Sequence, residues 1–176
     1  MLFHETNLSG VHRITLERRG DDRGFFARTF CERVFSEAGL ETRFVQQNMS
    51  FSAQRGTLRG LHFQRGEHAE AKLIRCTRGA ILDLVVDLRS DSPTYLGWTT
   101  IELTAENREM AYVPLGCAHG YMTLTDEAEA SYMTSAYYAG HAEGGLRWDD
   151  PGIGLVLPFH PTVVSDKDRA WPDWKT

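Results

Sequence analysis

Apolar positions in this chain recur mostly with a period of two, in short runs bounded by turn-forming residues, as in half-buried strands. The clearest run is Ala80-Ile81-Leu82-Asp83-Leu84-Val85-Val86-Asp87. Leu82, Leu84 and Val86 fall on one face and Ile81 and Val85 on the other, because successive strand side chains point to opposite sides. Gly79 precedes the run, and Ser90-Asp91-Ser92-Pro93 follows it as a turn. Trp98 to Leu103 reads as another strand, with Ile101 and Leu103 inward. Ala111-Tyr112-Val113 leads into a turn at Pro114, and Ala130 to Tyr138 is a further candidate, rich in Ser, Thr and Tyr. Helical spacing appears from Glu32 to Ala38, where Val34, Phe35 and Ala38 form an apolar stripe and Gly39 is a natural stop. Pro151 to Thr176 carries four prolines and two tryptophans, so it is expected to wrap the strands rather than fold apart. The pattern predicts an all-β fold, an antiparallel double-sheet jelly-roll barrel with a few short helices, in one domain spanning 1–176.

The length of 176 residues suits one domain with a substantial core. A hydrophobic share of 41% with 24% charged residues is that of a soluble globular protein. The net charge of -5 argues against a nucleic-acid surface but leaves room for a local basic pocket. No apolar run approaches ~18 residues, which argues against a membrane helix. Cys31, Cys76 and Cys117 show no CxxC spacing, and no signal peptide is apparent. They read as reduced thiols in a cytoplasmic protein.

Two histidine motifs carry the candidate chemistry: His62 in Gly56-Thr57-Leu58-Arg59-Gly60-Leu61-His62-Phe63-Gln64, and His119 in Pro114-Leu115-Gly116-Cys117-Ala118-His119-Gly120. Pro-x-Gly-x-x-His resembles the second signature of the cupins, small β-barrels in which two histidine-bearing strands converge. A metal cupin needs three or four converging N or O ligands, usually including His-x-His and a following Glu. Here Gln64 stands at the second His position and Lys72 near the acidic one. Glu67, His68 and Glu70 belong to what reads as a solvated hairpin tip, so the expectation is no metal. Alone, His62 reads equally as a core histidine or a catalyst, and so does His119, whose partner in the first case would be a backbone carbonyl. Their neighbours Arg59 and Lys72, the latter expected on the adjoining strand, point to an anionic partner such as a phosphate or a developing oxyanion.

Nearly the whole chain resembles the dTDP-4-dehydrorhamnose 3,5-epimerases and their relatives that act on nucleotide-linked 4-keto-6-deoxy sugars. The resemblance runs through Asp22-Arg23-Gly24-Phe25-Phe26, Gln46-Gln47-Asn48, Leu58-Arg59-Gly60-Leu61-His62 and Lys72-Leu73-Ile74-Arg75-Cys76. It continues through Asp87-Leu88-Arg89, Ser92-Pro93-Thr94-Tyr95, Ala118-His119-Gly120, Trp148-Asp149-Asp150-Pro151 and Ser165-Asp166-Lys167-Asp168. It implies His62 as general base, Asp168 as its paired carboxylate and Tyr132 as the acid on the opposite face of the sugar. Lys72, with Arg59 or His119, would stabilise a C4 enolate. Substrate contacts are implied at Arg23, Phe26, Arg28, Gln46, Gln47 and Asn48, and at Arg59, Lys72, His119, Glu143 and Lys167, with Tyr138 stacking on the base. The resemblance further implies no cofactor, a homodimer whose N-terminal strands extend the neighbour's sheet, and a role in deoxysugar and cell-surface lipopolysaccharide biosynthesis.

Three positions depart from the family pattern. Arg28 stands where Glu is usual, Gln47 where Asp is usual, and Met133 follows Tyr132 where Lys is common. The first two leave the nucleotide carrier open, and Met133, bordering Tyr132, could restrict inversion to one centre; drift at tolerant positions is an equal alternative for all three. The alternatives are a C3- or C5-only monoepimerase, a ketoisomerase, a non-catalytic sugar-nucleotide-binding cupin, and last a metal-dependent cupin.

Overall fold

The chain folds as two antiparallel sheets facing one another across an apolar core in a computed structural model, which describes residues 1–174. The first strands in chain order are β1 (Leu2–Glu5), β2 (His12–Thr15), β3 (Arg19–Asp21), β4 (Gly24–Phe26), β5 (Gln46–Ser52), β6 (Thr57–Gln64) and β7 (Lys72–Arg78). Then come β8 (Ala80–Asp87), β9 (Trp98–Thr104), β10 (Met110–Val113), β11 (Cys117–Thr123), β12 (Ala128–Thr134), β13 (Glu143–Gly145) and β14 (Val163–Val164). Helix α1 (Glu32–Glu37) follows β4, and α2 (Asp166–Arg169) follows β14. One sheet has the order β1-β2-β10-β7-β12-β5 and the other β13-β6-β11-β8-β9, with β14 parallel to β6. The predicted antiparallel double-sheet barrel is the architecture observed.

Strand β8 shows how the period-two pattern is used. Ile81 and Val85 join Ile74, Ile101, Leu103 and Val113 in the core between the sheets. Leu84 and Val86 pack outward with Leu58, Leu61 and Leu146, beneath Trp148, Leu155, Leu157 and Trp174. Both faces are therefore buried, and the tail from Pro151 covers the outer one as expected; Lys175 and Thr176 lie outside the described residues. Asp150 fixes this wrap by accepting the Trp174 amide at 2.6 Å.

Two elements differ from the pattern reading. In α1 only Phe35 is fully buried, and Ala38 is an exposed cap rather than part of the stripe. The strand expected to reach Tyr138 ends at Thr134. Beyond it side chains replace the ladder: Gln46 accepts the Tyr138 amide at 2.7 Å, and Gln64 accepts that of Ala139 at 2.6 Å.

The two histidine strands, β6 and β11, are neighbours, with His62 opposite His119. Their register slips so that Arg59, three residues before His62, faces Tyr121, only two beyond His119. This bulge restores Arg59 to the face of His62, although strict alternation would separate them. Glycine makes it feasible: Gly60 has φ of 115°, and a Cβ there would lie 2.7 Å from the Gly120 Cα. A Cβ on Gly120 would lie 2.6 Å from the Arg59 carbonyl oxygen, so each strand depends on the other lacking a side chain.

The Asp87 to Tyr95 motif is a structural staple. The fully buried Asp87 carboxylate accepts Arg89 Nε at 2.8 Å, Arg89 Nη2 at 2.8 Å, Ser92 Oγ at 2.5 Å and Thr94 Oγ1 at 2.7 Å. Burial alone would push this carboxyl up, but the Arg89, Ser92 and Thr94 bonds outweigh it and bring it from 3.8 to about 2. Because the folded value is depressed, the stabilisation is complete above the unfolded value and disappears as pH falls from about 4 towards 2. We expect Asp87→Asn to cost about 2 kcal/mol near neutrality, with a shrinking difference from the parent across that acid window. Urea unfolding at pH 7 and pH 3 checks both the cost and its convergence.

Candidate active site

Past Tyr132, which packs against the interior core, the space between the sheets becomes a polar cleft with two lobes. The inner lobe, about 450 Å³, is lined by Ser50, Arg59, His119, Tyr121 and Asp168. The outer lobe, about 350 Å³, is lined by Gln46, Asn48, Gln64, Glu70, Tyr138 and Glu143. His62, Lys72, Tyr132 and Lys167 line both. Strands β5, β7 and β12 build one wall and β6 and β11 the other, while α2 closes over them.

His62 Nε2 lies 2.5 Å from Asp168 Oδ1. The second oxygen, Oδ2, accepts the Gly60 amide at 3.3 Å. Asp168 is 4% exposed. Burial pushes its carboxyl up, but the His62 hydrogen bond and charge, the Gly60 amide and the Ser165 hydroxyl together hold it below its ordinary value. An ionised Asp168 accepts from Nε2–H, leaving Nδ1 as the ring nitrogen with a free lone pair. Ser165 also caps α2, accepting the Asp168 amide at 3.1 Å.

Tyr132 stands on the facing wall, on β12, in the same lobe. Burial, reinforced by Tyr121 and Glu70 and opposed by Arg59, pushes its phenol above the ordinary range. It therefore holds its proton at neutral pH. Lys72 is 7% exposed, and its Nζ lies 3.1 Å from Glu70 and 3.4 Å from the His62 carbonyl. It belongs to the next strand in sequence, but β7 lies in the opposite sheet from β6, so Lys72 reaches across the cleft. Glu70 is likewise not a solvated tip residue: it turns inward and supplies the anion that a buried ammonium requires. The His119 ring bonds a carboxylate rather than the expected carbonyl. Its Nε2 lies 2.7 Å from Asp83 Oδ1, a fully buried carboxylate whose Oδ2 has no hydrogen-bond partner among the described residues. Sequence reading missed Asp83, although an acid on the inward face of β8, between Ile81 and Val85, was a visible cue.

In the outer lobe, Lys167 Nζ pairs with Glu143 at 2.6 Å, and the Tyr138 hydroxyl donates to Glu143 at 3.0 Å. Burial raises Glu143, and these two partners bring it below its ordinary value; the bond to Glu143 in turn raises Tyr138. Tyr138 is 64% exposed, so it is not a packing residue. Gln64 has a role that no metal-ligating histidine would fill. It donates to the carbonyls of His68 and Tyr137 at 3.0 and 3.2 Å, tying the Gly66–His68 turn to the Tyr138 loop.

Several expected contact residues lie elsewhere. Arg23 pairs with Asp21 at the exposed tip of the β3–β4 hairpin, and Phe26 is 66% exposed. Phe26 and Arg28 line a separate recess with Met1, Glu17 and Arg19. Gln47 points away from the cleft because Gln46 and Asn48, its neighbours on β5, point in. Met133 faces the same outer side, among the residues packed around Phe35, and so does not share Tyr132's face. Gln47 and Met133 are cross-strand partners, which makes these two departures a single paired change outside the cleft. Among the described residues, no group of three or more His, Cys, Asp or Glu side chains is placed to share a metal ion.

A family model described as dTDP-4-dehydrorhamnose 3,5-epimerase matches residues 5–176. A protein of that name from Methanothermobacter thermautotrophicus is 46% identical over 172 residues, covering 96% of this chain and 92% of the relative. The crystal structure of the Elizabethkingia anophelis protein of that name superposes with a TM-score of 0.95 at 37% identity, covering 99% of this chain and 96% of that one. The Legionella pneumophila dTDP-6-deoxy-D-glucose-3,5-epimerase, in complex with dTDP-4-keto-L-rhamnose, superposes with a TM-score of 0.89 at 32% identity, covering 99% of each chain.

Proposed function

The chain belongs to the dTDP-4-dehydrorhamnose 3,5-epimerase family, and from that premise we infer that its cleft inverts C3 and C5 of a dTDP-linked 4-keto-6-deoxyhexose. It is an isomerase of deoxysugar biosynthesis. The observation that carries the residue roles is a histidine–carboxylate pair and a protonated phenol on facing walls of one lobe.

The C4 ketone acidifies the hydrogens on C3 and C5. His62 Nδ1 takes one of them, and the bonding electrons pass to the C4 oxygen as an enolate. Asp168 orients the ring and balances the imidazolium that forms. Lys72, with Arg59 or His119, faces the enolate oxygen, and Tyr132 returns a proton to the opposite face of the same carbon. His62 then gives its proton to solvent and Tyr132 regains one, and the second centre repeats the cycle. Each cycle is a proton exchange with no net oxidation, so the chain's own groups suffice. The outer lobe, with Lys167, Gln46, Asn48 and the exposed ring of Tyr138, suits the diphosphate and the base. The three free cysteines fit a cytoplasmic setting, and the product would feed a cell-surface polysaccharide.

Incubation in D₂O with dTDP-, CDP- and GDP-linked 4-keto-6-deoxyglucose, followed by proton NMR, tests this. Loss of the C3 and C5 proton signals from the dTDP substrate is expected. Exchange at one carbon would reduce the activity to monoepimerisation, and exchange at neither in all three would reject it.

The enzyme is also proposed to act as a homodimer. Arg23, Phe26 and Arg28 protrude on or beside a hairpin that does not reach its own cleft, and β5 is a sheet edge carrying exposed Met49 and Phe51. If the hairpin completes the neighbour's site, Phe26→Ala and His62→Asn proteins are each impaired, but their mixed dimers hold one intact site. Unfolding and refolding the two together should restore about a quarter of parental activity, since half the dimers are mixed and each has one working site. A mixture no better than its components would place Phe26 outside the partner's site.

A further inference from the structure

The mechanism assigns nothing to the indole of Trp171, which lies three residues beyond Asp168 at the end of α2. The ring covers the backbone of Gly145. A methyl group built on that glycine would fall inside the indole, against Cε2, Nε1 and Cδ2. Gly145 is in turn the register partner of His62 on β6. The next residue, Leu146, exchanges both backbone hydrogen bonds with Leu61, at 2.9 and 3.1 Å. On the face that carries the His62 ring, the neighbouring strand thus presents a bare glycine opposite the base, and Trp171 rests on it. Its Nε1 is buried there without a hydrogen-bond partner among the described residues, where packing rather than polar bonding holds the ring in place. Lys167 Nζ lies 6.0 Å above the same ring, on the preceding turn of the chain.

We propose that Trp171, seated on Gly145, is a positioning residue that sets the distance between Asp168 and His62. Helix α2 spans only Asp166–Arg169, too short to be stable alone. Something outside it must fix how far Asp168 projects over β6. The Ser165 cap sets its start, and the Trp171 seat sets its end. Because the seat is on β13 directly beside His62, base and carboxylate are referenced to the same strand pair. A displacement of even ~1 Å at such a site costs on the order of 10²-fold in rate.

The inference rests on His62 being the base, and its first readout is independent of turnover: the far-downfield imidazole proton of the Nε2–H···Oδ1 bond in proton NMR. Gly145→Ala and Trp171→Ala are each expected to abolish or shift that resonance. They should lower kcat about 30-fold or more with KM within about twofold, and move the acid limb of the kcat/KM profile towards that of Asp168→Asn. The double variant should be no worse than Trp171→Ala alone, because removing the ring makes room for the added methyl. Trp171→Phe keeps a flat ring over Gly145 and should stay within about threefold of the parent. All measurements are made below each variant's melting transition. An unchanged imidazole resonance in folded Trp171→Ala, or additive losses in the double variant, would overturn the proposal. A parent protein that shows the resonance but exchanges no sugar proton would instead overturn the epimerase reading and leave the positioning role standing.

Discussion

His62→Asn is expected to remove solvent exchange at both C3 and C5, lowering turnover by roughly 10³-fold or more while the protein stays folded and binds nucleotide. Asparagine is polar and smaller, and His62 is only half buried, so no large void is left in the barrel, and the Asp168 carboxylate keeps the Gly60 amide as a partner. What disappears is Nδ1, the basic nitrogen left free once Asp168 holds Nε2. Both carbons should fail together, because one base serves both positions. Asp168→Asn should cost less: the imidazole survives, but its tautomer is no longer fixed and the imidazolium lacks its counter-charge. Deuterium wash-in followed by NMR measures each carbon separately. Exchange by the His62 variant within tenfold of the parent would remove His62 from the base position.

Tyr132→Phe separates abstraction from inversion. Phenylalanine keeps the ring against the interior core and loses only the hydroxyl, so the fold and the opposite wall should survive. The enolate still forms at His62 and can be reprotonated from the His62 side. Deuterium should therefore enter C3 or C5 with retained configuration, while inverted product falls by about 10²-fold or more. Equal rates of wash-in and inversion in this variant would make Tyr132 a packing residue and point to a bound water as donor.

Strand β8 was legible because alternation survives even when both of its faces are buried: Ile81 and Val85 go to one core, Leu84 and Val86 to another. The histidine motifs were legible as motifs, and their convergence in one cleft followed from the resemblance. What escaped depended on parity or distance. Arg59 and His62 share a face only because the bulge at Gly60 adds a residue, a change in backbone geometry that residue types do not spell out. The reverse error occurred at Gln47, where simple alternation with Gln46 and Asn48 already predicted that it faces away. Glu70 looked like a tip residue because the turn before it is polar, and only the fold brings it to Lys72. Asp168 meets His62 across 106 residues of sequence, a contact that no local pattern encodes. The β3–β4 hairpin was missed as an element because its strands are exposed and lack an alternating apolar face.

That separation between His62 and Asp168 has a consequence for biosynthesis of the chain itself. A ribosome has made every strand from β1 to β14 before it reaches the codon for Asp168. A polypeptide terminated before that codon carries His62, Tyr132 and Lys72 without the carboxylate that orients the base. Such a product would turn nucleotide sugar over poorly. Activity therefore reports on synthesis of the late segment as well as on folding, and any tag or proteolytic nick that pulls α2 off β6 would silence an otherwise native barrel.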